Sequence, residues 1–203
     1  MSDSVYKGTY CACEGFASID AIQLDRACGK ARAMVGTVHR KLAEMSGDVA
    51  IGLKHHFKLD VTAARGVGRV YQEKQIDAIL SVFAKMDSDF KAGMTYVAGS
   101  LGAVGTTASM NPRVIKIHPP FFTLSPLDQA TGLIHEHAHF ASRLPGALNT
   151  ISDRGWPFFK AYHELNPEVY RGLTTDKALK NADCYAYFAR EVAEPGSYTW
   201  IGD

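Results

Sequence analysis

No apolar run in the 203-residue chain approaches the length of a membrane span, so no membrane association is expected. An excess of charge is missing too: 22 basic and 21 acidic side chains leave a formal net charge of +1. No basic tract stands out, and nucleic acid is not an expected partner. Cysteine is scarce, with four in all: Cys11, Cys13, Cys28 and Cys184. Cys11-x-Cys13 is not a C-x-x-C, and no second pair completes a zinc ribbon. Free thiols are the expectation, with a bridge from Cys11 or Cys13 to Cys28 open only to an exported protein. The stretch Met1–Lys7 lacks a basic region followed by an apolar one. A Sec-type signal peptide is therefore not expected, and the chain reads as cytoplasmic or exported by a signal-less route. Gly99, Gly102 and Gly105 lie three apart but do not form the G-x-G-x-x-G that opens a dinucleotide-binding helix. No internal repeat or domain boundary is visible.

What is present is an ordinary globular composition, 46% hydrophobic and 21% charged. Residues 1–203 are read as a single domain, long enough to bury a core. Apolar residues at helical spacing predict a helix over about 19–44, a second over 71–88, one near 156–165 and a last one over 175–191. Val114–His118 alternates as a strand and Pro119-Pro120 stops it, while Thr95–Val97 fits a short strand. Residues 1–16 read as irregular, and 51–70 are ambiguous. The adjacent pair His55-His56 reads as solvated, because neighbouring residues diverge on any regular element.

One segment carries chemistry. His135-Glu136-His137-Ala138-His139 fits H-E-x-x-H. On an α-helix, positions i and i+4 share a face, so His135 and His139 can both bind one Zn²⁺ while Glu136 reaches a water at the metal. His137 points to another side of the helix and is a poor third ligand. The flanks support a helix over 126–143. Ser125 reads as the N-cap, Pro126 takes the first position, Asp128 puts an acid in the first turn, and Pro145-Gly146 ends it. A catalytic zinc needs about three protein ligands and one open position. The metzincin extension fails, since Ser142 and Pro145 stand where it requires Gly and His. A gluzincin arrangement would take Glu164; the better candidate is Asp153, after a loop long enough to fold back on the helix.

Around Asp153 the chain resembles the aspzincins, the deuterolysin and lysine-specific metalloendopeptidase type. The resemblance rests on H-E-x-x-H, on Asn149-Thr150-Ile151-Ser152-Asp153 as a degenerate form of the family's G-T-x-D, and on Asn181-Ala182-Asp183 with Tyr187-Phe188. It extends to Tyr6-Lys7-Gly8 and to the strand running into Pro119-Pro120-Phe121-Phe122. The resemblance implies a zincin-like α+β fold, mainly helical, with a small sheet whose edge strand borders the active-site cleft. It implies a zinc-dependent endopeptidase acting on peptide or protein substrates, with His135, His139 and Asp153 as zinc ligands and Glu136 as general base. Trp156 stands where the family carries a tyrosine that binds the developing oxyanion; an indole N–H also donates. Asp183 matches an acid of the family's lysine pocket, but Ala186 replaces the second acid, so strict lysine specificity is not implied. Asp183 reads equally well as a residue that ties down a ligand histidine or a loop. Ile117 and His118 are expected to pair with extended substrate backbone. The alternative in another class is a catalytically silent zinc-binding module that only binds peptides or a partner.

Overall fold

The computed structural model describes residues 5–62, 67–99, 105–107, 114–141, 151–156, 159–160 and 162–200; of Val67, 105–107, 154–156 and 159–160 it describes the backbone alone. The fold is α+β, mostly helical. Helix α1 (Ser18–Glu44) follows from its apolar spacing: Leu24, Ala27, Cys28, Ala31, Met34, Val35, Val38 and Leu42 are all buried. It stops at Met45, which takes a left-handed conformation with φ 48°. Helix α2 (Gly47–Phe57) occupies part of the ambiguous stretch, and α3 (Val67–Ala92) contains the helix expected over 71–88.

A five-stranded sheet lies beside these helices, in the order β1-β2-β3-β5-β4. Its strands are β1 (Val5–Lys7), β2 (Cys11–Glu14), β3 (Met94–Ala98), β4 (Gly105–Thr107) and β5 (Val114–Ile117). β2, β3 and β5 run parallel, and β1 and β4 are antiparallel to their neighbours. The irregular reading of residues 1–16 is thus corrected: they supply two strands. The cause is long-range. The Asp25 carboxylate on α1 accepts the backbone N–H groups of Thr9, Tyr10 and Cys11 at 3.1, 2.7 and 3.1 Å, which fixes the β1–β2 turn. Gly8 lies against that carboxylate, where a Cβ would sit 2.2 Å from Oδ1.

After a 3-10 turn (Pro119–Thr123) comes α4 (Pro126–Ala141), the helix expected over 126–143 as far as it is described. Ser125 Oγ accepts the Asp128 N–H at 3.2 Å and donates to Asp128 Oδ2 at 2.6 Å, closing the first turn. Helix α4 packs against α1, α3 and α7 (Ala182–Ala193). Arg190 on α7 bonds Asp128 Oδ1 at 2.7 Å and so locks the two helices together. Phe57, Phe83, Tyr185 and Phe188 pack ring against ring in the core, with centroids 5.0–5.9 Å apart.

Two further expectations change. In place of a helix near 156–165 there is a short hairpin, β6 (Arg154–Trp156) with β7 (Phe159–Lys160), then a turn at 163–165 and the short helix α5 (Pro167–Arg171). The helix expected over 175–191 is split into α6 (Thr175–Ala178) and α7. The break lies at Asn181, whose backbone is extended and whose Oδ1 accepts the Cys184 N–H at 3.0 Å as the cap of α7. Ser152 docks into the break: its N–H donates to Lys180 O at 2.7 Å, and its carbonyl accepts the Ala182 N–H at 3.1 Å.

Candidate metal centre

That docking sets the site, because it holds Asp153 opposite α4. Asp153 Oδ1 lies 3.1 Å from His135 Nε2 and 3.0 Å from His139 Nε2, and the two Nε2 atoms are 3.2 Å apart. His135, His139 and Asp153 form the one cluster of this kind among the described residues. Four ligands placed tetrahedrally at about 2.0–2.1 Å from a zinc ion lie roughly 3.3 Å from one another. The observed triangle is close to that size.

The hydrogen bonds behind the imidazoles fix their tautomers. His139 Nδ1 donates to the Ile151 carbonyl at 3.1 Å, and His135 Nδ1 meets Asp183 Oδ1 at 2.5 Å. With both Nδ1 atoms engaged by acceptors, both neutral rings turn the Nε2 lone pair toward the Asp153 carboxylate oxygen. Three electron-rich atoms then face one another, an arrangement that a cation between them stabilises. The donor set therefore fits a divalent metal of zinc type. Without one, a proton takes that role. Burial works to lower the pKa of His135, but Asp153 and Asp183 outweigh it and hold the imidazole up at about 10. Burial likewise opposes ionisation of Asp153, yet the two histidines hold its carboxyl well below the usual range.

Glu136 follows His135 on the same helix, and burial pushes its carboxyl up despite the neighbouring imidazoles. This direction suits a group that must take up a proton. His137 faces the other way, as expected. It is fully buried, stacks on Phe90 at 3.9 Å between centroids, and shares a 2.8 Å hydrogen bond with Tyr96. Burial, assisted by Lys85, drives its pKa down to about 3.

Other expected site residues fall elsewhere. Glu164 is an exposed turn residue and is not among the three residues whose ligand atoms converge. Asp183 does not face a substrate with a free carboxylate. Oδ1 is taken by His135, and Oδ2 accepts the His163 backbone N–H at 2.7 Å. Of the two readings open from the sequence, the geometry fits the one in which Asp183 ties down His135 and a loop. Ala186 is fully buried. Ile117 does not lie on an edge: β5 is paired on both sides, by β3 and β4. His118 is buried where its ring covers the backbone of Gly99. Among the described strands, the outermost on that side is β4, which packs beside α4. The Trp156 side chain lies outside the described residues; its backbone pairs with Phe159 in the hairpin just after Asp153.

The sequence reading missed Tyr162, whose hydroxyl donates to Asp153 Oδ2 at 3.1 Å and whose ring lies 6.1 Å from that of His135. Nothing in its local sequence marks it. The hairpin between it and Asp153 brings it back. No described helix is long and apolar enough to cross a membrane.

No protein-family model matches the chain, and no curated protein matches its sequence. Among solved structures, the fold is similar to that of a zinc peptidase from Grifola frondosa, with a TM-score of 0.65 at 16% sequence identity, covering 87% of this chain and 97% of that one. The chain thus has an α+β fold similar to that of a zinc peptidase, and its His135, His139 and Asp153 form a cluster able to hold a metal.

Proposed function

We propose that the protein is a zinc-dependent endopeptidase of aspzincin type, built as a single domain. The observation that carries this reading is the convergence of two Nε2 atoms and one carboxylate oxygen within 3.2 Å, beside a glutamate on the same helix. His135, His139 and Asp153 hold the ion. When bound, zinc supplies Lewis acidity that lowers the pKa of water from about 15.7 toward about 7 and polarises the scissile carbonyl. Glu136 takes the proton from the attacking water and passes it to the leaving amine. Asp183 and Ile151 keep the two imidazoles in the ligating tautomer. Tyr162 orients the Asp153 carboxylate, and the Trp156 indole N–H is the candidate donor to the developing oxyanion. The outer edge of β4 takes the extended substrate backbone.

Two measurements test the reading together. Metal analysis of the purified protein is expected to give one zinc per chain. Cleavage of a diverse peptide library is expected for the natural chain and lost in Glu136→Gln. Absence of zinc after zinc addition overturns the proposal. Stoichiometric zinc with no cleavage would leave the zinc-binding module that only binds peptides.

A further inference from the structure

The residues 195–200 after α7 play no part in the proposed chemistry, yet they connect to it. Tyr198 Oη is hydrogen-bonded to His163 Nε2 at 2.6 Å. His163 is 5% exposed, and its ring stacks on Tyr187 at 3.9 Å; its Nδ1 has no hydrogen-bond partner among the described residues. Tyr198 is thus the polar anchor of this ring. The His163 backbone N–H in turn donates to Asp183 Oδ2, and Asp183 Oδ1 meets His135 Nδ1. Two residues on, Trp200 stacks on His55 at 4.4 Å with ring planes 3° apart. Glu191 holds His55 at 2.7 Å and His56 at 2.9 Å, and His56 is fully buried. The pair expected to be solvated is instead the dock on which the last segment rests.

We infer that Tyr198 and His163 are positioning residues for the metal ligand His135, acting through Asp183. The inference rests on the zinc site proposed above. A carboxylate fixes an imidazole only if the carboxylate itself is fixed. Asp183 leaves no oxygen unused: one holds His135, and the other is held by the His163 backbone. The His163 backbone is placed by its ring. Removing the Tyr198 hydroxyl leaves the buried imidazole with no hydrogen bond among the described residues, and a buried polar group without a partner moves to regain one. That movement withdraws the N–H from Asp183 and loosens the ligand.

The test is zinc affinity, measured by competition with a chromophoric chelator. Loss of such an outer partner of a ligand costs about 10- to 100-fold in affinity, which is the expectation for Asp183→Asn. Tyr198→Phe, two hydrogen bonds further out, is expected to cost roughly 3- to 10-fold in the natural background. In the Asp183→Asn background it should cost nothing further, because the two act in series. An equal loss in both backgrounds would mean general loosening and would overturn the inference. So would unchanged affinity in Tyr198→Phe. If Asp183→Asn does not fold, the imidazole N–H spectrum of zinc-loaded Tyr198→Phe decides. The His135 Nδ1–H resonance should move or exchange faster while that of His139 stays; two unmoved resonances would refute the link. Failure of the natural chain to take up zinc would instead strike the proposed function itself.

Discussion

Two histidines on α4, only two residues apart, are held in opposite states. His135 meets two carboxylates and is held up at about 10; His137 meets Tyr96, Phe90 and a nearby Lys85, and burial drives it down to about 3. Both are enclosed by protein. The difference lies in what the rest of the chain brings to each face of the helix. One face receives Asp153 and Asp183 from distant segments; the other receives an apolar wall. The local sequence His-Glu-His-Ala-His does not distinguish the rings, but a helix turning about 100° per residue does.

The sharpest way to break this contrast is to remove each ring in turn. His135→Ala or His139→Ala is expected to abolish stoichiometric zinc binding, read by metal analysis after dialysis. His137→Ala should keep the zinc and lose stability instead, by about 3 kcal/mol in denaturant unfolding, because it leaves a cavity beside Phe90. A folded His137→Ala protein without zinc would reverse the assignment. Next in size is the third ligand. Asp153→Ala should weaken zinc binding by orders of magnitude, while Glu164→Ala, altering an exposed turn, should match the natural chain in the same chelator titration.

A smaller effect, at least about 100-fold, is expected for peptide cleavage by Glu136→Gln, with zinc content and fold retained. Retained cleavage would remove Glu136 from the role of base.

The contrast also sets two pH windows for the metal-free protein. His137 has a folded pKa below its unfolded value of about 6.5. The unfolded chain therefore binds more protons between about pH 6.5 and 3. Stability contributed by His137 is present above that window and lost as pH falls through it, by up to about 1.4 kcal/mol per pH unit. His135 behaves in the opposite sense. Its folded pKa is raised, so its contribution is full below about pH 6.5 and lost as pH rises toward 10. Denaturant titrations across pH 4–10 check both, and His137→Ala should flatten only the acid limb. Zinc affinity should fall with falling pH, because protons compete for the same nitrogens. The smallest expected effect concerns preference. Both Asp183 oxygens are engaged and Ala186 is buried, so cleavage should not be restricted to sites before lysine. Sequencing of cut sites in denatured protein substrates tests this.

Much of the helical frame was legible in sequence, because helix periodicity is local. Leu24 through Leu42 mark α1 without reference to anything else, and Ser125-Pro126 with Asp128 marks the start of α4. The helical face shared by His135 and His139 was legible for the same reason. Asp153 was not. Its claim came from resemblance, and its place depends on Ser152 reaching the break before Ala182. Strands β1 and β2 were invisible because three or four residues carry no periodic signal and gain their pairing from Asp25 and β3. The outermost described strand, Gly105–Thr107, has too little side-chain pattern to announce an edge, so Val114–His118 was given its role. Asp183 was legible as important, but the direction it faces was not.

The docking of Ser152 into the break between α6 and α7 has a consequence for how this chain tolerates change. The two hydrogen bonds that seat it are made by backbone atoms, so side chains at position 152 are interchangeable in this respect, proline excepted because it has no N–H to give. What matters is spacing. Asp153 lies one residue past the anchor, and its position relative to α4 is counted from there and not from His139. A single residue inserted between Ser152 and Asp153 would shift the carboxylate by one backbone step, about 3.3–3.8 Å, more than the whole width of the ligand triangle.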